Sequence, residues 1–296
     1  MLPSPACSLR IGETVKGKKK LDMYGDAVQA TCLPGDHWRT RHDLIKNVIF
    51  RLCVWAGLPS TVEVFNMFSG LLTQTGLARI DKDRDRQALV PDFKITLTIA
   101  GQSVPTLHEL KTISSSRSRY KVTLKEGGVK NRAKMINEEN IPKAGYADVL
   151  YGGAREGEPG RVEQKLLSYP KVVGLVFGNW GEASDGVHNL VEQMARSRAK
   201  VAEPQAKKKG GRLTEEGVKA LAVGFIRRRL SVAAVRAQCL SLLGRLEVMG
   251  PGLTTASGRR RAAADQEGLW RRERVAQELA DKLGYSGLRR GFPRLD

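Results

Sequence analysis

The sequence predicts a mixed α/β domain that is followed by a basic, all-helical region. Residues 39–58 carry apolar side chains near helical spacing, two β-rich runs at 93–99 and 104–113 flank turn residues, and KVVGLVF at 171–177 is a short continuous apolar run. These are the patterns of an amphipathic helix, a β-hairpin and a strand buried on both faces. The hairpin makes the sheet mixed, and the helices before and after it form a layer on its faces.

The first elements in chain order are a helix and a strand. The helix covers RTRHDLIKNVIFRLCVWAGL and ends where Gly57 and Pro59 break its pattern. STVEVFNM, residues 60–67, then alternates its side chains in the manner of a strand. After a charged loop at 81–86 comes the hairpin, with Gly101, Gln102 and Ser103 as its turn residues.

The remaining elements are helices, one strand and a last helix. Residues 129–169 hold helical segments that Pro142 and the glycine-rich loop 152–160 interrupt. The apolar strand follows, and Ser184 can cap a helix whose apolar stripe includes Val187, Leu190 and Met194. The predicted order is therefore helix, three strands, helices, strand and helix.

The charge balance predicts a polyanionic partner. Fifty Lys and Arg face thirty-one Asp and Glu, which gives a net charge of +19. Such a surplus favours the release of counterions from a phosphate backbone, so we expect nucleic acid as the partner. An anionic membrane surface fits less well and is not expected, because aromatic anchors are few: only 6% of the residues are aromatic.

Composition divides the chain into four regions. Residues 1–36 form a basic N-terminal arm, 37–204 the α/β domain, 205–213 a linker, and 214–296 a basic helical domain that binds nucleic acid. Residues 207–296 hold twenty Lys and Arg against nine Asp and Glu, so more than half of the excess charge lies there. The arginines that we expect to contact phosphates in this region are Arg227, Arg228, Arg229, Arg259, Arg260, Arg261, Arg271 and Arg272.

The cysteines and the apolar runs predict an intracellular protein. Cys7, Cys32, Cys53 and Cys239 lie far apart and form no C-x-x-C pair, so a disulfide framework is not expected. No apolar run is long enough for a signal peptide or a membrane-spanning helix. Lysine runs at 18–20 and 207–209 could act as nuclear import signals, which favours the nucleus over the cytoplasm, although each also fits a solvated linker.

Two short strings in the hairpin predict a metal-dependent site. Pro91-Asp92 precedes the first strand, and Glu109-Leu110-Lys111 lies on the second. If the two carboxylates converge at one end of the sheet, they suit Mg²⁺ or Mn²⁺, which take oxygen ligands. Glu109 and Lys111 share a face because they are two residues apart. The ammonium could then stabilise an activated hydroxide or the charge that develops on phosphorus.

With these strings, the order of elements resembles the PD-(D/E)xK superfamily, whose restriction-endonuclease-like core runs αβββαβ. The resemblance covers about residues 39–178. It implies that Asp92 and Glu109 bind the metal, that Leu110 lends its backbone carbonyl, and that Lys111 assists the water. It also implies a further acidic ligand from the first helix or strand, Glu63 or Asp43. The implied activity is metal-dependent hydrolysis of phosphodiester bonds in DNA, so the resemblance implies DNA in preference to RNA.

A narrower resemblance concerns four segments. YGDAVQATCLPGDHWRTRHDLIK, LVPDF, LHELKTIS and GLVFGNWGEAS look like the nuclease-like segment near the C-terminus of retroelement polyproteins in eukaryotic genomes. This resemblance implies a retroelement-derived endonuclease. The chain departs from the polyprotein setting at residues 24–27, where Tyr-Gly-Asp-Ala is not the Tyr-x-Asp-Asp of reverse transcriptases.

Several alternatives remain open from the residues. Glu109 and Lys111 also fit the solvated face of a strand, and His108 points to the opposite face and fits a structural role. The candidate zinc ligands are Cys7, Cys32, His37 and His42. The candidate phosphate contacts after the hairpin are Arg117, Arg119, Lys121 and Lys125. The competing functions are a catalytically inactive nucleic-acid-binding protein of the same fold, and an RNA-binding or packaging protein without nuclease ancestry.

Overall fold

A computed structural model describes residues 14–15, 19–20, 37–63, 66–83, 91–113, 127–179, 181–208 and 214–249. The chain divides into two compact units. Arg41–Ala237 form the larger unit, and the other combines Met1–Thr40 with Gln238–Asp296. In the second unit, strands β1 (Thr14–Val15) and β2 (Lys19–Lys20) pair antiparallel.

The larger unit contains a four-stranded mixed sheet with helices on both of its faces. The strands lie in chain order, with β3–β4 and β4–β5 antiparallel and β5–β6 parallel. The strands are β3 (Ser60–Val62), β4 (Phe93–Ile99), β5 (Gln102–Thr112) and β6 (Val173–Phe177). The helices are α1 (His37–Ala56), α2 (Asn66–Ser69), α3 (Gln74–Asp83), α4 (Gly128–Ala147), a π-helical turn (Asp148–Gly152), α5 (Arg161–Leu167), α6 (Asp185–Lys208) and α7 (Glu215–Met249). This arrangement confirms the mixed α/β class.

Alternation along the hairpin separates two apolar layers. Phe93 and Ile95 on β4 and Leu110 on β5 point to one face, where they pack with Ile45 and Ile49 of α1 and with residues of α6 and α7. The intervening residues of β5 point to the other face. Because strand side chains alternate, the sequence pattern fixes which residues of β5 face α1 and which face α4.

The opposite face carries a smaller apolar cluster and the polar residues of interest. Leu107 on β5 and Val176 on β6 pack there against Ile136 of α4. Glu109 and Lys111 alternate in step with Leu107, so they lie on this same side of the sheet. Their neighbours are therefore the residues of α4 and not those of α1.

The hairpin turn is shorter than the sequence indicated. Ala100 and Gly101 both adopt a positive φ, 49° and 82°, as the central residues of a type I′ turn do. Gln102 and Ser103 consequently pair with Ile99 and Thr98. They were expected in the turn and instead begin β5.

Two other elements differ from the expected pattern. β3 ends at Val62, because Glu63 has φ 53° and leaves the extended region, and Asn66 begins α2. Pro142 does not interrupt α4. Ile136 and Ala144 are buried on either side of Pro142, so packing holds the helix across the position that lacks an N–H donor.

Ser184 forms hydrogen bonds with the outer edge of strand β6, the edge that does not pair with β5. The Ser184 hydroxyl donates to the carbonyl of Gly174 at 2.8 Å and accepts from the amide of Val176 at 3.0 Å. The Ser184 amide in turn donates to the Val176 carbonyl at 2.9 Å. Ser184 was expected to cap the following helix with its side chain. Its hydroxyl instead satisfies the strand, and its backbone carbonyl accepts from Val187.

The expected C-terminal helices begin inside the larger unit. The first two helical patterns form one helix, α7, whose Ala222, Ile226 and Leu230 pack in the first apolar layer. α6 continues to Lys208, so residues 205–208 of the expected linker are helical. The third helical pattern, from residue 259, lies outside the described residues. No helix in the described ranges is both long enough and apolar enough to cross a membrane.

Asp148, at the start of the π-helical turn, fixes the N-terminus of α5. It is 1% exposed, and its two oxygens accept from the amides of Val162 and Glu163 at 2.9 and 2.8 Å. Gly160 is required beside it, because a Cβ there would lie 2.2 Å from the carboxyl carbon of Asp148. The carboxylate thus satisfies two helix amides and faces the positive end of the helix dipole.

Replacing Asp148 with alanine is expected to lower the free energy of unfolding by about 3 kcal/mol, because two charge-assisted hydrogen bonds are lost and two amides stay buried. Asp148→Asn keeps one acceptor oxygen and should lose less. Urea denaturation of both variants measures the effect. A loss below about 0.5 kcal/mol for Asp148→Ala would show that α5 does not depend on this contact.

Candidate active site

Asp92 and Glu109 lie opposite each other near the start of β4 and the end of β5. Phe93 is the register partner of His108, so Asp92, one residue earlier, lies opposite Glu109, one residue later. Lys111 follows two residues along β5, on the same face as Glu109. The fold therefore brings Asp92, Glu109 and Lys111 together, as the spacing in the sequence indicated.

The Asp92 carboxylate is held by one backbone group and one side chain. Its Oδ2 accepts from the Leu110 amide at 2.7 Å, and its Oδ1 lies 3.2 Å from His42 Nε2. The backbone carbonyl of Asp92 accepts from the Glu63 amide at 3.2 Å. Asp92 is thus fixed to β5, to α1 and to the residue that follows β3. Leu110 contributes its amide to the site, and its side chain is buried in the first apolar layer.

The pKa of Glu109 lies above its ordinary value. Burial raises its pKa, and the negative charge of Asp92 raises it further. Lys111 opposes this shift, because its Nζ lies 2.5 Å from Glu109 Oε1. The side chain of Glu109 is 18% exposed and that of Lys111 36%, so the pair borders solvent. Two carboxylates that repel one another beside a cation are a pattern typical of catalytic sites.

His42 on α1 also belongs to the site, whereas the sequence indicated it only as a candidate zinc ligand. Its Nδ1 lies 3.2 Å from Asp43 Oδ1, and its Nε2 contacts Asp92. Burial lowers the pKa of His42, but the hydrogen bonds to Asp43 and Asp92 outweigh it and raise the pKa to about 9. The signal in the sequence was the His-Asp pair on the polar side of the first helix, but nothing in the spacing linked it to residue 92.

Glu63 and Asp43, the candidates for a further acidic ligand, share one lysine. Lys46 Nζ lies 3.0 Å from Asp43 Oδ1 and 2.5 Å from Glu63 Oε1. The side chain of Glu63 is 64% exposed and that of Lys46 is 8% exposed, so the contact is only partly buried. Burial alone would lower the pKa of Lys46. The contacts with Glu63 and Asp43 outweigh that effect, so the pKa of Lys46 lies above its ordinary value. Both carboxylates therefore contact Lys46 rather than the Asp92–Glu109 pair.

Helix α4 adds a second charged group beside Glu109 and Lys111. Glu139 contacts Lys143 at 3.0 Å and Arg132 at 3.4 Å. Burial raises the pKa of Glu139, but these cations and the charge of Lys111 lower it below its ordinary value. The charge of Lys143 likewise acts on Glu109. Sequence reasoning did not anticipate these α4 residues.

The expected phosphate contacts are only partly described. Arg227 and Arg228 are exposed on α7, whereas Arg229 lies 5.3 Å over the ring of Phe225. The remaining candidates lie outside the described residues: Arg117, Arg119, Lys121, Lys125, Arg259, Arg260, Arg261, Arg271 and Arg272. Cys7 and Cys32 of the alternative zinc site also lie outside them.

The donor set of the site fits a hard divalent cation. A cation between Asp92 and Glu109 would relieve the repulsion that raises the pKa of Glu109. Each carboxylate oxygen has two lone pairs, so the oxygens that contact His42, Leu110 and Lys111 can still accept. Among the described side chains, no group of three or more His, Cys, Asp or Glu is arranged to hold a metal ion. Mg²⁺ keeps several waters and often takes only one or two carboxylates.

No protein-family model matches this chain, and neither does a curated protein or a solved structure. The function proposed below therefore rests on the geometry of this site, on the charge of the chain and on the resemblance of its motifs.

Proposed function

We propose that this protein is a metal-dependent endonuclease that hydrolyses phosphodiester bonds in DNA, with a restriction-endonuclease-like core derived from a retroelement. One observation carries the proposal. Asp92 and Glu109 lie close enough to repel each other, and Lys111 forms an ion pair with Glu109. The strand order and the antiparallel hairpin also agree with an αβββαβ core in which α2 and α3 are inserted after the first strand.

Each residue has a distinct role in this proposal. Asp92 and Glu109 would hold Mg²⁺ or Mn²⁺, together with the backbone carbonyl of Leu110 and, through water, Glu63. When bound, the metal ion lowers the pKa of a coordinated water and polarises a phosphoryl oxygen. The ammonium of Lys111 would stabilise the hydroxide and the charge that develops on the phosphate. His42 would orient Asp92 from behind.

One observation favours the inactive nucleic-acid-binding protein instead. The two carboxylates of the site already contact the protein's own cations, Glu109 with Lys111 and Asp92 with His42. A chain that lost its metal would need such internal cations to offset two half-buried negative charges. Its basic surface could still bind DNA without any cleavage.

Incubation of the full chain with supercoiled plasmid, single-stranded DNA and RNA separates the two functions. The endonuclease should nick plasmid with Mg²⁺ or Mn²⁺ and should be silent in EDTA. Binding to the same substrates is measured in parallel. Binding without cleavage of any substrate in either metal would make the inactive binder the better account.

The exposed arginines of α7 are expected to contribute to binding without contributing to cleavage. Removing residues 207–296 would strip Ala222 and Ile226 from the core, so point substitutions are the cleaner test. Arg227→Gln with Arg228→Gln should flatten the plot of log affinity against log salt by about 1.8, at 0.9 per phosphate contact. Glu215→Gln with Glu216→Gln, exposed on the same helix, controls for a double substitution there and should not flatten the slope. An unchanged slope would show that these arginines serve only solubility.

A further inference from the structure

Two lysines converge on one tyrosine beside the candidate active site. Lys94 Nζ on β4 lies 5.8 Å from the centroid of the Tyr169 ring, and Lys165 Nζ on α5 lies 5.7 Å from it. Tyr169 follows the end of α5 and packs against the apolar cluster of Leu107, Ile136 and Val176. The ring is therefore anchored, and its π face attracts both ammonium groups.

Lys94 and Lys165 differ from four other described lysines in having no described acidic partner. Within the part of the chain that the structure describes, neither Lys94 nor Lys165 forms an ion pair, whereas Lys46, Lys111, Lys143 and Lys219 each contact a carboxylate. Lys165 is exposed and Lys94 is partly exposed. Bringing two like charges to one ring without a carboxylate leaves a local surplus of positive charge that an anion can neutralise.

The position of this pair relates it to Asp92 and Glu109. Lys94 is the register partner of Leu107 on β5, and Leu107 shares its face with Glu109. Lys94 and Glu109 are therefore diagonal neighbours across the hairpin, about 7–8 Å apart at their side-chain bases. Lys111 lies beyond Glu109 in the other direction. Cations thus stand on both sides of the carboxylate pair along one face of the hairpin.

We propose that Lys94 and Lys165, held over Tyr169, bind a backbone phosphate of the nucleic acid next to the phosphate at Asp92 and Glu109. This inference rests on the proposed function for the position of the cut. The lysines would grip the strand through a sequence-independent charge contact, which fixes its register without reading bases. Tyr169 would serve as a scaffold for the two ammonium groups, because they cover the ring that a base would need for stacking.

The test compares Lys94→Gln/Lys165→Gln with Lys130→Gln/Lys200→Gln. The control pair removes the same charge from two exposed lysines of α4 and α6. Binding of labelled duplex and single-stranded oligonucleotides is measured over a range of salt in EDTA. The first variant should flatten the salt dependence by about 0.7 on single strands and 0.9 on duplex, the values for one phosphate contact, and the control should flatten it by less than half of that. An equal loss of salt dependence in the two double variants would refute the phosphate site at Lys94 and Lys165.

Kinetics separate this inference from the proposed activity. If the wild-type chain cleaves, Lys94→Gln/Lys165→Gln should raise KM for DNA and leave kcat within twofold, because the contact is made equally before and during the reaction. An unchanged KM and salt slope in a cleaving protein would refute the phosphate site alone. A protein that never cleaves but loses salt dependence only in this variant would retain the phosphate site and refute the endonuclease.

Discussion

Asp92→Ala, Glu109→Ala and Lys111→Ala are each expected to lower the rate of Mg²⁺-dependent cleavage at least a hundredfold while leaving DNA affinity nearly intact. Loss of one charge-stabilising group at such a centre typically costs about 2.7–4 kcal/mol of transition-state stabilisation. Affinity, in contrast, is spread over many basic residues, so one lost cation has little effect. Removal of a carboxylate even relieves local repulsion of the phosphate.

Metal binding distinguishes the roles of the three residues. Lys111→Ala should still bind Mn²⁺, whereas Asp92→Ala should not, and titration calorimetry measures the difference. Asp185→Ala, which removes an exposed carboxylate at the start of α6, is the matched control and should cleave normally. If the Asp92 and Lys111 variants cut as fast as the parent, the site has been assigned to the wrong residues.

The free energy of unfolding, measured in EDTA, is expected to peak near pH 6.5. The pKa of His42 is about 9 in the fold and 6.5 when unfolded, so the fold holds the extra proton between these values. Its stabilisation is complete below pH 6.5 and is lost as the pH rises through about 9. Burial lowers the pKa of His108 to about 4. The unfolded chain therefore takes up this proton first, and stability falls as the pH drops from 6.5 towards 4.

Each limb of this profile amounts to about 3 kcal/mol, since a pKa unit corresponds to 1.36 kcal/mol. The charged groups that face His42 are Asp43, Asp92 and Lys46. Within the described residues His108 Nδ1 has no hydrogen-bond partner, and its register partners Phe93 and Val173 are apolar. His42→Gln should flatten only the alkaline limb, and His108→Leu only the acid limb. Curves that stay parallel to the parent would show that neither histidine controls stability.

The hairpin was the part of the fold that the sequence predicted best. Strand alternation and a turn glycine are local properties, so Phe93 to Ile99 and the face shared by Glu109 and Lys111 followed from spacing alone. The second strand begins two residues earlier than expected, because the turn is confined to Ala100 and Gly101 and alanine gives no sign of a positive φ. The class of the sheet followed from the order of strands and helices.

The contacts that join distant segments could not be predicted. His42 reaches Asp92 across fifty residues, and no periodicity encodes which polar residue of α1 faces the sheet end. The sequence likewise gave no sign of how α7 packs. Ala222, Ala233 and Ala237 form a buried stripe of small residues on this helix, whereas composition assigns the helix to a separate basic domain. In both cases the tertiary partner decides the outcome, and the segment's own sequence carries only half of the information.

The closure of β6 by Ser184 bears on self-association. An open strand edge presents unpaired amides and carbonyls on which a second chain can add a strand. Here Ser184 forms hydrogen bonds with the carbonyl of Gly174 and with both the amide and the carbonyl of Val176, and the Gly178 amide donates to the carbonyl of Glu182. The apolar run at 171–177 would otherwise be a template for aggregation, because it is short, β-prone and carries a single charge. Ser184 thus protects the strand edge from pairing with a second chain, and Ser184→Ala would make the protein polymerise more readily at high concentration.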